Sequence, residues 1–413
     1  MKFSKLSQLF LVSSIGLLVA TVLTACQIVT IDFVYLATTS GSGSNGSIQT
    51  FAVDADSGAL RTVGSTVSSG GAEPVAVAVS SDYANLYVAN AGSKSVEHFT
   101  INMNGVPTAT DSITLASTPV ALAVDSTSTY LYVLGGTGSP TLTSYSLTKG
   151  KIGAEASHAD LNLGGNYVND VLVPTGITVL ANNSTVSGNA VYVSAYDQTS
   201  YNPGGTATCT SDCAHPGWVF GYSIGTGGAL TPSHNSPYQA GTRPSSIVSD
   251  PADRFVYVTD FASNQLIGYT IYNLGTLNTL SYMPSGPFST GSEPSSVVVD
   301  PRGRFLYVSN ALDSTVSSYV IDVTSGIPTV AVNTTGSSVN STDTYPVAVA
   351  ADPALGRYVY TANHLGNSLS GFRLDTTSGA LTSTQATPYP SAQEPTALVI
   401  IPHGNHALTT VVK

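Results

Sequence analysis

The sequence contains few charged residues. Only 9% of its 413 residues are Asp, Glu, Lys or Arg, whereas about 25% is usual in soluble proteins. Just 13 are Lys or Arg, the net charge is −11, and no basic stripe runs along the chain. Binding to a phosphate backbone needs such a stripe, so we exclude nucleic acid as a partner. The abundant Ser, Thr, Gly and Asn are typical of exposed strands and turns, whereas surface helices favour Glu, Lys and Ala.

Long hydrophobic runs are also scarce. The main one, Leu9–Val22, follows Lys2 and Lys5 near the N-terminus. A basic start followed by an apolar run is the pattern of a signal peptide, and this run is shorter than the ~20 residues of a spanning helix. The run leads into Leu23-Thr24-Ala25-Cys26, which resembles the lipobox of bacterial lipoproteins. We therefore predict a lipoprotein signal peptide over residues 1–25, with an ordinary secretory signal or a short transmembrane helix as the alternative.

The lipobox resemblance implies lipidation of Cys26 and a membrane anchor made of acyl chains. The protein would then lie in the bacterial cell envelope, with its body periplasmic or extracellular. Gln27 is not a strong signal for retention in the inner membrane, so we favour the outer membrane. We predict a short tether over residues 26–32 and a single domain over residues 33–413, and we expect a monomer.

Cysteine is nearly absent from the rest of the chain. Only Cys209 and Cys213 remain beside Cys26, and an exported pair is normally oxidised to a disulfide. The alternative is a metal site that includes His215. These residues are too few for a closed zinc site, so we predict a disulfide, no metal and no cofactor.

A short motif recurs along the chain: a proline is followed by Tyr-Val, with the tyrosine 13 residues after the proline. A fixed internal period of this kind predicts one structural unit per repeat, stacked on its neighbours. The pairs with this spacing are Pro74 and Tyr87, Pro119 and Tyr132, Pro244 and Tyr257, and Pro294 and Tyr307. Related pairs with the same or longer spacings are Pro174 and Tyr192, Pro346 and Tyr360, and Pro395 and Leu408.

Each unit is interpreted as four β-strands. The first follows the proline, the second holds Tyr-Val, the third has a central aromatic residue and the fourth follows a glycine turn. Seven third strands are predicted from the aromatic residues Phe51, Phe99, Tyr145, Tyr222, Tyr269, Tyr319 and Phe372. Four-stranded units at this spacing favour an all-β protein, a seven-bladed β-propeller with antiparallel blades.

The chain ends predict how the ring closes. The chain begins with a strand of the second type, Phe33–Thr38, and ends with one of the first type, Thr396–Ile400. These two strands would share the closing blade, because radial closure removes open sheet edges. The segment 407–412 also has a strand-like pattern, and its place in the blade is left open.

The repeats resemble a known family. The segments EPVAVAVSSDYANLYVANAGSKSVEHFTIN and EPSSVVVDPRGRFLYVSNALDSTVSSYVID are similar to the YVTN and lactonase-type repeats of seven-bladed propellers, over roughly residues 33–400. The family includes 6-phosphogluconolactonases, so the resemblance implies a lactonase-type activity. Enzymes of the family tend to carry a His and an Arg-His pair after two of the prolines. The matching places here hold Thr175 and Ser245-Ser246, and Arg243 precedes its proline.

The residues before the prolines are the candidate site. In a propeller these positions ring one mouth of the central channel, and they would gather carboxylates and a guanidinium there. They include Glu73, Arg243, Glu293, Tyr345 and Glu394, and we predict that these bind a ligand together with Trp218 from the insert Tyr196–Trp218. The alternative is structural: each Glu caps backbone amides or pairs with a neighbouring cation.

Two functions follow from this site. The first is a module that binds a small molecule or an envelope protein at the channel mouth. The second is a lactonase-type hydrolase acting on a sugar lactone or a related cyclic ester, with Glu293, Glu394 and Arg243 as candidate catalytic residues. A purely structural role in the envelope is also compatible with the sequence. Carboxylates gathered at a pocket would favour hydrolysis, and widely separated ones would favour binding.

Overall fold

The structure is a computed structural model that describes residues 29–39, 43, 45–163, 171–181, 189–198, 216–274, 277–332 and 336–403. The predicted signal peptide, Cys26, the Cys209–Cys213 pair and the segment 407–412 lie outside the described residues. Within the described part, no helix is long and apolar enough to cross a membrane.

The described chain is almost entirely β-structure. The first three sheets contain β1 (Thr30–Thr38), β2 (Asn45–Asp54) and β3 (Leu60–Ala72); β4 (Pro74–Val79), β5 (Asn85–Asn90), β6 (Ser95–Ile101) and β7 (Pro107–Thr114); and β8 (Pro119–Val124), β9 (Tyr130–Gly135), β10 (Thr141–Thr148) and β11 (Lys151–Asp160). The fourth contains β12 (Leu172–Val179), β13 (Asn189–Asp197), β14 (Gly217–Ile224), β15 (Leu230–Pro232) and β16 (Tyr238–Gln239), with a 3₁₀ turn at Thr226–Gly228.

The remaining sheets have the same plan. The fifth contains β17 (Pro244–Ser249), β18 (Phe255–Asp260), β19 (Gln265–Leu274), β20 (Leu277–Tyr282) and β21 (Phe288–Ser289). The sixth contains β22 (Pro294–Val299), β23 (Phe305–Asn310), β24 (Thr315–Ile321), β25 (Pro328–Val330) and β26 (Val339–Ser341). The seventh contains β27 (Pro346–Ala351), β28 (Tyr358–Asn363), β29 (Ser368–Leu374), β30 (Leu381–Ser383) and β31 (Tyr389–Pro390), and the last strand is β32 (Pro395–Pro402).

These strands form seven antiparallel sheets arranged as a closed ring. In each, the strand that holds the repeat proline is innermost. The other main strands follow outward in chain order, and in the closing sheet β32 lies inside β1, β2 and β3. Each innermost strand contacts the innermost strands of both neighbouring sheets. Seven apolar clusters fill the spaces between neighbouring sheets, one for each pair. The predicted seven-bladed β-propeller is therefore confirmed, and four of its sheets carry a short fifth strand paired with the third.

The closing sheet combines both ends of the described chain. The C-terminal β32 pairs with β1 over Asp32–Thr38, as the sequence predicted. The strand β1 begins at Thr30, three residues earlier than the Phe33 start that we predicted. The strand extends further because Ile31 and Asp32 are both buried.

The repeated tyrosine fastens neighbouring sheets together. In five sheets its hydroxyl donates a hydrogen bond to the carbonyl of a turn glycine in the next sheet, at 2.7–2.9 Å. The pairs are Tyr35–Gly105, Tyr87–Gly150, Tyr257–Gly326, Tyr307–Gly379 and Tyr360–Gly58. All five glycines have positive φ, which glycine adopts at little cost. The fixed spacing between proline and tyrosine thus places one buried polar contact at each of these sheet boundaries.

The strand order defines two faces. The prolines and the residues that follow the second strands lie on one, which we call the mouth face. The turns that join first to second strands, and third to fourth strands, lie on the other, which we call the basal face. The start of β1 is on the basal face, because Thr38 at its other end pairs with Pro395.

Candidate functional site

In six sheets the proline position is built by a distinctive backbone turn. The carbonyl of the residue before the proline accepts the amide hydrogen of the residue after the second strand, and the ladder is irregular directly after the proline. In the fourth sheet the ladder instead continues before the proline, where Val173 pairs with Tyr196. Four of these preceding residues have φ between 48° and 59°, which is uncommon for residues other than glycine. They are Glu73, Glu293, Tyr345 and Glu394. These predicted site residues therefore also shape how the chain enters the innermost strand.

A cavity of about 330 Å³ lies on the mouth face. It is formed by residues that are far apart in sequence, because five of the innermost strands, β8, β12, β17, β22 and β27, contribute residues at or next to their prolines. The described lining consists of Val120, Pro174, Thr175, Arg243, Pro244, Ser245, Phe261, Ser295, Ala311, Tyr345 and Val347. Two of the predicted ligand-binding residues, Arg243 and Tyr345, are thus brought together.

Arg243 is held from two sides. Its guanidinium carbon lies 4.5 Å from the ring centroid of Phe261 and 5.5 Å from that of Tyr196, a geometry that attracts a cation to the aromatic faces. The buried Asp260 accepts the backbone amide hydrogens of Thr242 at 2.8 Å and Arg243 at 2.9 Å. The backbone and the guanidinium of Arg243 are therefore both positioned, so the residue presents an oriented positive charge at the cavity.

Hydroxyl groups from neighbouring sheets surround this charge. Ser245 Oγ donates to the carbonyl of Pro294 at 2.5 Å, and Ser295 Oγ donates to that of Pro346 at 2.7 Å. Thr175 Oγ1 lies 2.9 Å from Ser194 Oγ. The bonds of Ser245 and Ser295 join neighbouring sheets, whereas Thr175 and Ser194 belong to the same sheet. Each hydroxyl oxygen keeps lone pairs that can accept a hydrogen bond. The cavity thus combines a cation with several polar groups suited to a hydroxylated ligand.

The three predicted glutamates do not line this cavity. Glu73 Oε1 accepts the amide hydrogen of Gly43 at 2.7 Å, which is the backbone-capping role that we gave as the alternative. The backbone amide of Glu293 donates to the side-chain oxygen of Asn264 at 2.8 Å, and the backbone amide of Glu394 donates to that of Asn367 at 2.7 Å. Both glutamate side chains are half-buried. Their assignment as ligand-binding or catalytic residues stays a prediction.

Trp218 lies in the third strand of the fourth sheet rather than in the cavity lining. It pairs with Ala195 in the ladder and packs against the apolar cluster between the third and fourth sheets. Most of the insert between Tyr196 and Trp218 lies outside the described residues, including the predicted Cys209–Cys213 disulfide. Its predicted role in recognition stays a prediction. Among the described residues, no group of His, Cys, Asp and Glu could hold a metal ion.

Sequence reasoning missed Phe261 and Ser295. Phe261 occupies the position directly after a second strand, where other sheets have Ala91, Ala311 or His364. A large aromatic residue at that position was a usable signal, because such positions were expected on the mouth side. Ser295 gave no signal, since a serine after a proline is unremarkable by itself.

A model of the family described as lactonase, seven-bladed β-propeller, matches residues 20–120 and 198–400. The match covers more than half of the chain, so the protein belongs to this family. The unmatched part includes Thr175 and most of the third sheet. No curated protein matches the sequence.

Solved structures share the fold at low sequence identity. A periplasmic gluconolactonase from Pseudomonas aeruginosa is 17% identical, with a TM-score of 0.68, over 90% of this chain and 99% of that one. Two proteins proposed to be 6-phosphogluconolactonases are also similar. That from Bacteroides fragilis is 17% identical with a TM-score of 0.66, over 90% of this chain and 98% of that one. That from Bacteroides uniformis is 14% identical with a TM-score of 0.68, over 90% and 100%. At sequence identities this low, the structural similarity shows a common fold alone.

Proposed function

We propose that the mouth cavity binds a small sugar lactone or the sugar acid derived from it. The observation that carries this proposal is the position of Arg243 in the cavity lining, with its guanidinium over two aromatic rings. A guanidinium donates paired hydrogen bonds to a carboxylate or an ester oxygen, and such charge-assisted bonds are stronger than neutral ones. The hydroxyls of Thr175, Ser245 and Ser295 supply acceptors for the hydroxyl groups of a sugar.

The test is calorimetric titration with gluconate, glucono-δ-lactone and glucose. We expect the first two ligands to bind more tightly than glucose, because only they carry a carboxylate or an ester carbonyl. Arg243→Ala should weaken their binding about 10- to 100-fold, since hydrogen bonds to a charged group contribute roughly 1.5–3 kcal/mol. Lys94→Ala is the matched control, because Lys94 is an exposed cation on the same face outside the cavity lining. Equal affinity in wild type and Arg243→Ala would contradict the proposal.

The second candidate function is hydrolysis of the lactone. It is favoured by membership of the lactonase family and by similarity to a periplasmic gluconolactonase. Hydrolysis also needs a base to activate water, and the described cavity lining contains neither a carboxylate nor an imidazole. Binding is therefore better supported by the geometry than turnover is.

Acid release from glucono-δ-lactone, measured above the spontaneous rate, decides between the two functions. Turnover that is lost in Arg243→Ala would show a hydrolase. Loss of that turnover in Glu293→Gln or Glu394→Gln, with ligand binding kept, would assign the base. A wild-type rate equal to the spontaneous rate would leave binding alone.

We also propose that the protein is exported and held in the cell envelope by lipid on Cys26, as a monomer. The support is the signal sequence and the lipobox-like segment before Cys26. An outer-membrane location is preferred, and an envelope protein is an alternative partner for the mouth face. Cys26→Ala should release the protein from the membrane fraction. Membrane association equal to that of wild type would contradict the anchor.

A further inference from the structure

The two faces of the propeller differ in their cations. The turns between first and second strands on the basal face carry Arg254, Arg302, Arg304 and Arg357. Next to the turns between third and fourth strands on the same face, Arg61, Lys151 and Arg373 lie at the ends of β3, β11 and β29, and Lys149 lies in a turn itself. Of these, Arg61, Lys149, Lys151, Arg357 and Arg373 are exposed. The described part of the mouth face has Lys94 and Arg243.

The acids differ in the opposite sense. On the basal face Asp250, Asp300 and Asp352 are fully buried and accept amide hydrogens of their own turns. The exposed or half-exposed basal acids are Asp54, Asp56, Asp82, Asp322 and Asp375. On the mouth face, Glu73, Asp160, Glu293, Asp313, Asp343 and Glu394 are at least partly exposed. When exposed and half-exposed residues are counted alike, with Arg254, Arg302 and Arg304 included, the described basal face has eight cations and five acids, whereas the described mouth face has two cations and six acids.

The predicted lipid anchor is adjacent to the basal face. β1 begins there at Thr30, four residues after Cys26. Four residues span at most about 14 Å even when fully extended, so a lipid on Cys26 would keep the start of β1, at the edge of the basal face, within that distance of the bilayer. Apolar side chains are also exposed on this face, namely Met103 at 89%, Val29 at 54% and Val323 at 39%.

We propose that the basal face lies against an anionic phospholipid surface, so that the mouth cavity opens away from the membrane. The proposal rests on the lipidation of Cys26 and is independent of the ligand of the cavity. Basic side chains near a bilayer are attracted by anionic lipids within about a Debye length. The short tether holds the protein close to the bilayer, and the basal cations are attracted to its anionic headgroups. The acidic residues of the mouth face are repelled by the same headgroups, which disfavours the inverted orientation.

The experiment places the lipidated protein on vesicles of phosphatidylethanolamine and phosphatidylglycerol that contain a headgroup-linked fluorescence acceptor. A donor dye is attached at Met103→Cys on the basal face, or at Leu365→Cys, which is exposed on the mouth face, with Cys209 and Cys213 replaced by serine. A six-residue strand spans about 20 Å, so energy transfer from position 103 should exceed that from position 365 several-fold. One molar salt should reduce this difference, because it shortens the Debye length to about 3 Å.

A charge-reversed protein tests the cause of the orientation. Arg61→Glu, Arg357→Glu and Arg373→Glu together should reduce the difference as salt does, whereas Lys94→Glu on the mouth face should not. Equal transfer from positions 103 and 365 in anchored wild-type protein would overturn the proposed orientation. A salt-insensitive difference would overturn its electrostatic cause, even if the triple variant does not fold. Failure of the anchor is distinguished separately, because Cys26→Ala would then remain in the membrane fraction.

Discussion

Replacing Asp32 with asparagine should stabilise the protein at neutral pH. Asp32 is fully buried in β1, and neither of its carboxylate oxygens makes a hydrogen bond of ordinary geometry to the described residues. Burial, reinforced by the nearby Asp352 carboxylate, raises the pKa of Asp32 from 3.8 to about 10. The oxygens of Asp352 already accept amide hydrogens of Ala354, Leu355 and Arg357. The closing sheet therefore holds Asp32 as a neutral acid.

The sign of the pH dependence follows from this raised pKa. Below pH 4 the acid is protonated in both the folded and the unfolded chain, so its contribution to stability is fully present. As the pH rises from 4 towards 10, only the unfolded chain ionises, and the free energy of unfolding falls by up to about 1.4 kcal/mol per pH unit. At pH 7 the loss reaches about 4 kcal/mol as an upper bound. Asparagine cannot ionise, so this loss is absent from the variant.

The assay is the melting temperature of Asp32→Asn and of wild type between pH 4 and pH 8. The unfolding entropy grows with chain length, so each kcal/mol corresponds to about 1 °C for a protein of this size. The variant should match wild type near pH 4 and melt about 5 °C higher at pH 7. Asp56→Asn, an exposed acid on the same face, is the control and should show no such trend. Parallel curves for Asp32→Asn and wild type would refute the reasoning.

Two further predictions concern the sheet boundaries, and both are measured by urea unfolding. Tyr257→Phe should lower the free energy of unfolding by about 1–2 kcal/mol, because the Tyr257 hydroxyl donates a hydrogen bond to a glycine carbonyl of the next sheet. Tyr132→Phe should leave the free energy of unfolding unchanged, since the buried Tyr132 hydroxyl has no partner among the described residues. A similar loss in both variants would contradict this role of the tyrosine. Gly379→Ala should cost more than about 2 kcal/mol, because φ is 75° and the new Cβ would lie 2.3 Å from Phe305 Cδ1. Gly227 has a similar φ of 73°, and a Cβ there would have no atom within 4 Å. Gly227→Ala should therefore lower the free energy of unfolding by only about 1 kcal/mol. Equal losses of stability in the two variants would show that the contact with Phe305 is relieved.

Much of the fold could be predicted from the sequence because each repeat carries its own signals. The proline begins the innermost strand and the tyrosine lies in the second strand, so the register of the ladder follows from their spacing. The short fifth strands could not be predicted. Strands of two or three residues such as β16 and β21 are too short to show alternation.

The candidate site could be predicted only in part. The repeat placed Arg243 and Tyr345 at one mouth, and the structure brings them to one cavity. The repeat could not give the direction of a side chain on a left-handed backbone, so the expected gathering of Glu73, Glu293 and Glu394 was not found in the lining. Asp32 gave no sequence signal either. Its pKa is raised by burial and by Asp352, which is distant in the chain and lies next to the neighbouring sheet.

The pairing of β32 with β1 also fixes when the ring can close during synthesis. The first sheet has three strands as soon as residue 72 is made, and its inner edge lacks a partner until Pro395–Pro402 has followed. An unpaired strand edge is a site for pairing with other chains. A protein exported as an extended chain would therefore gain its last sheet, and its protection from aggregation, only after nearly all of it has crossed the membrane. Loss of residues 395–402 by a late stop codon should thus impair folding of the whole ring, although these residues are remote from Arg243 in sequence.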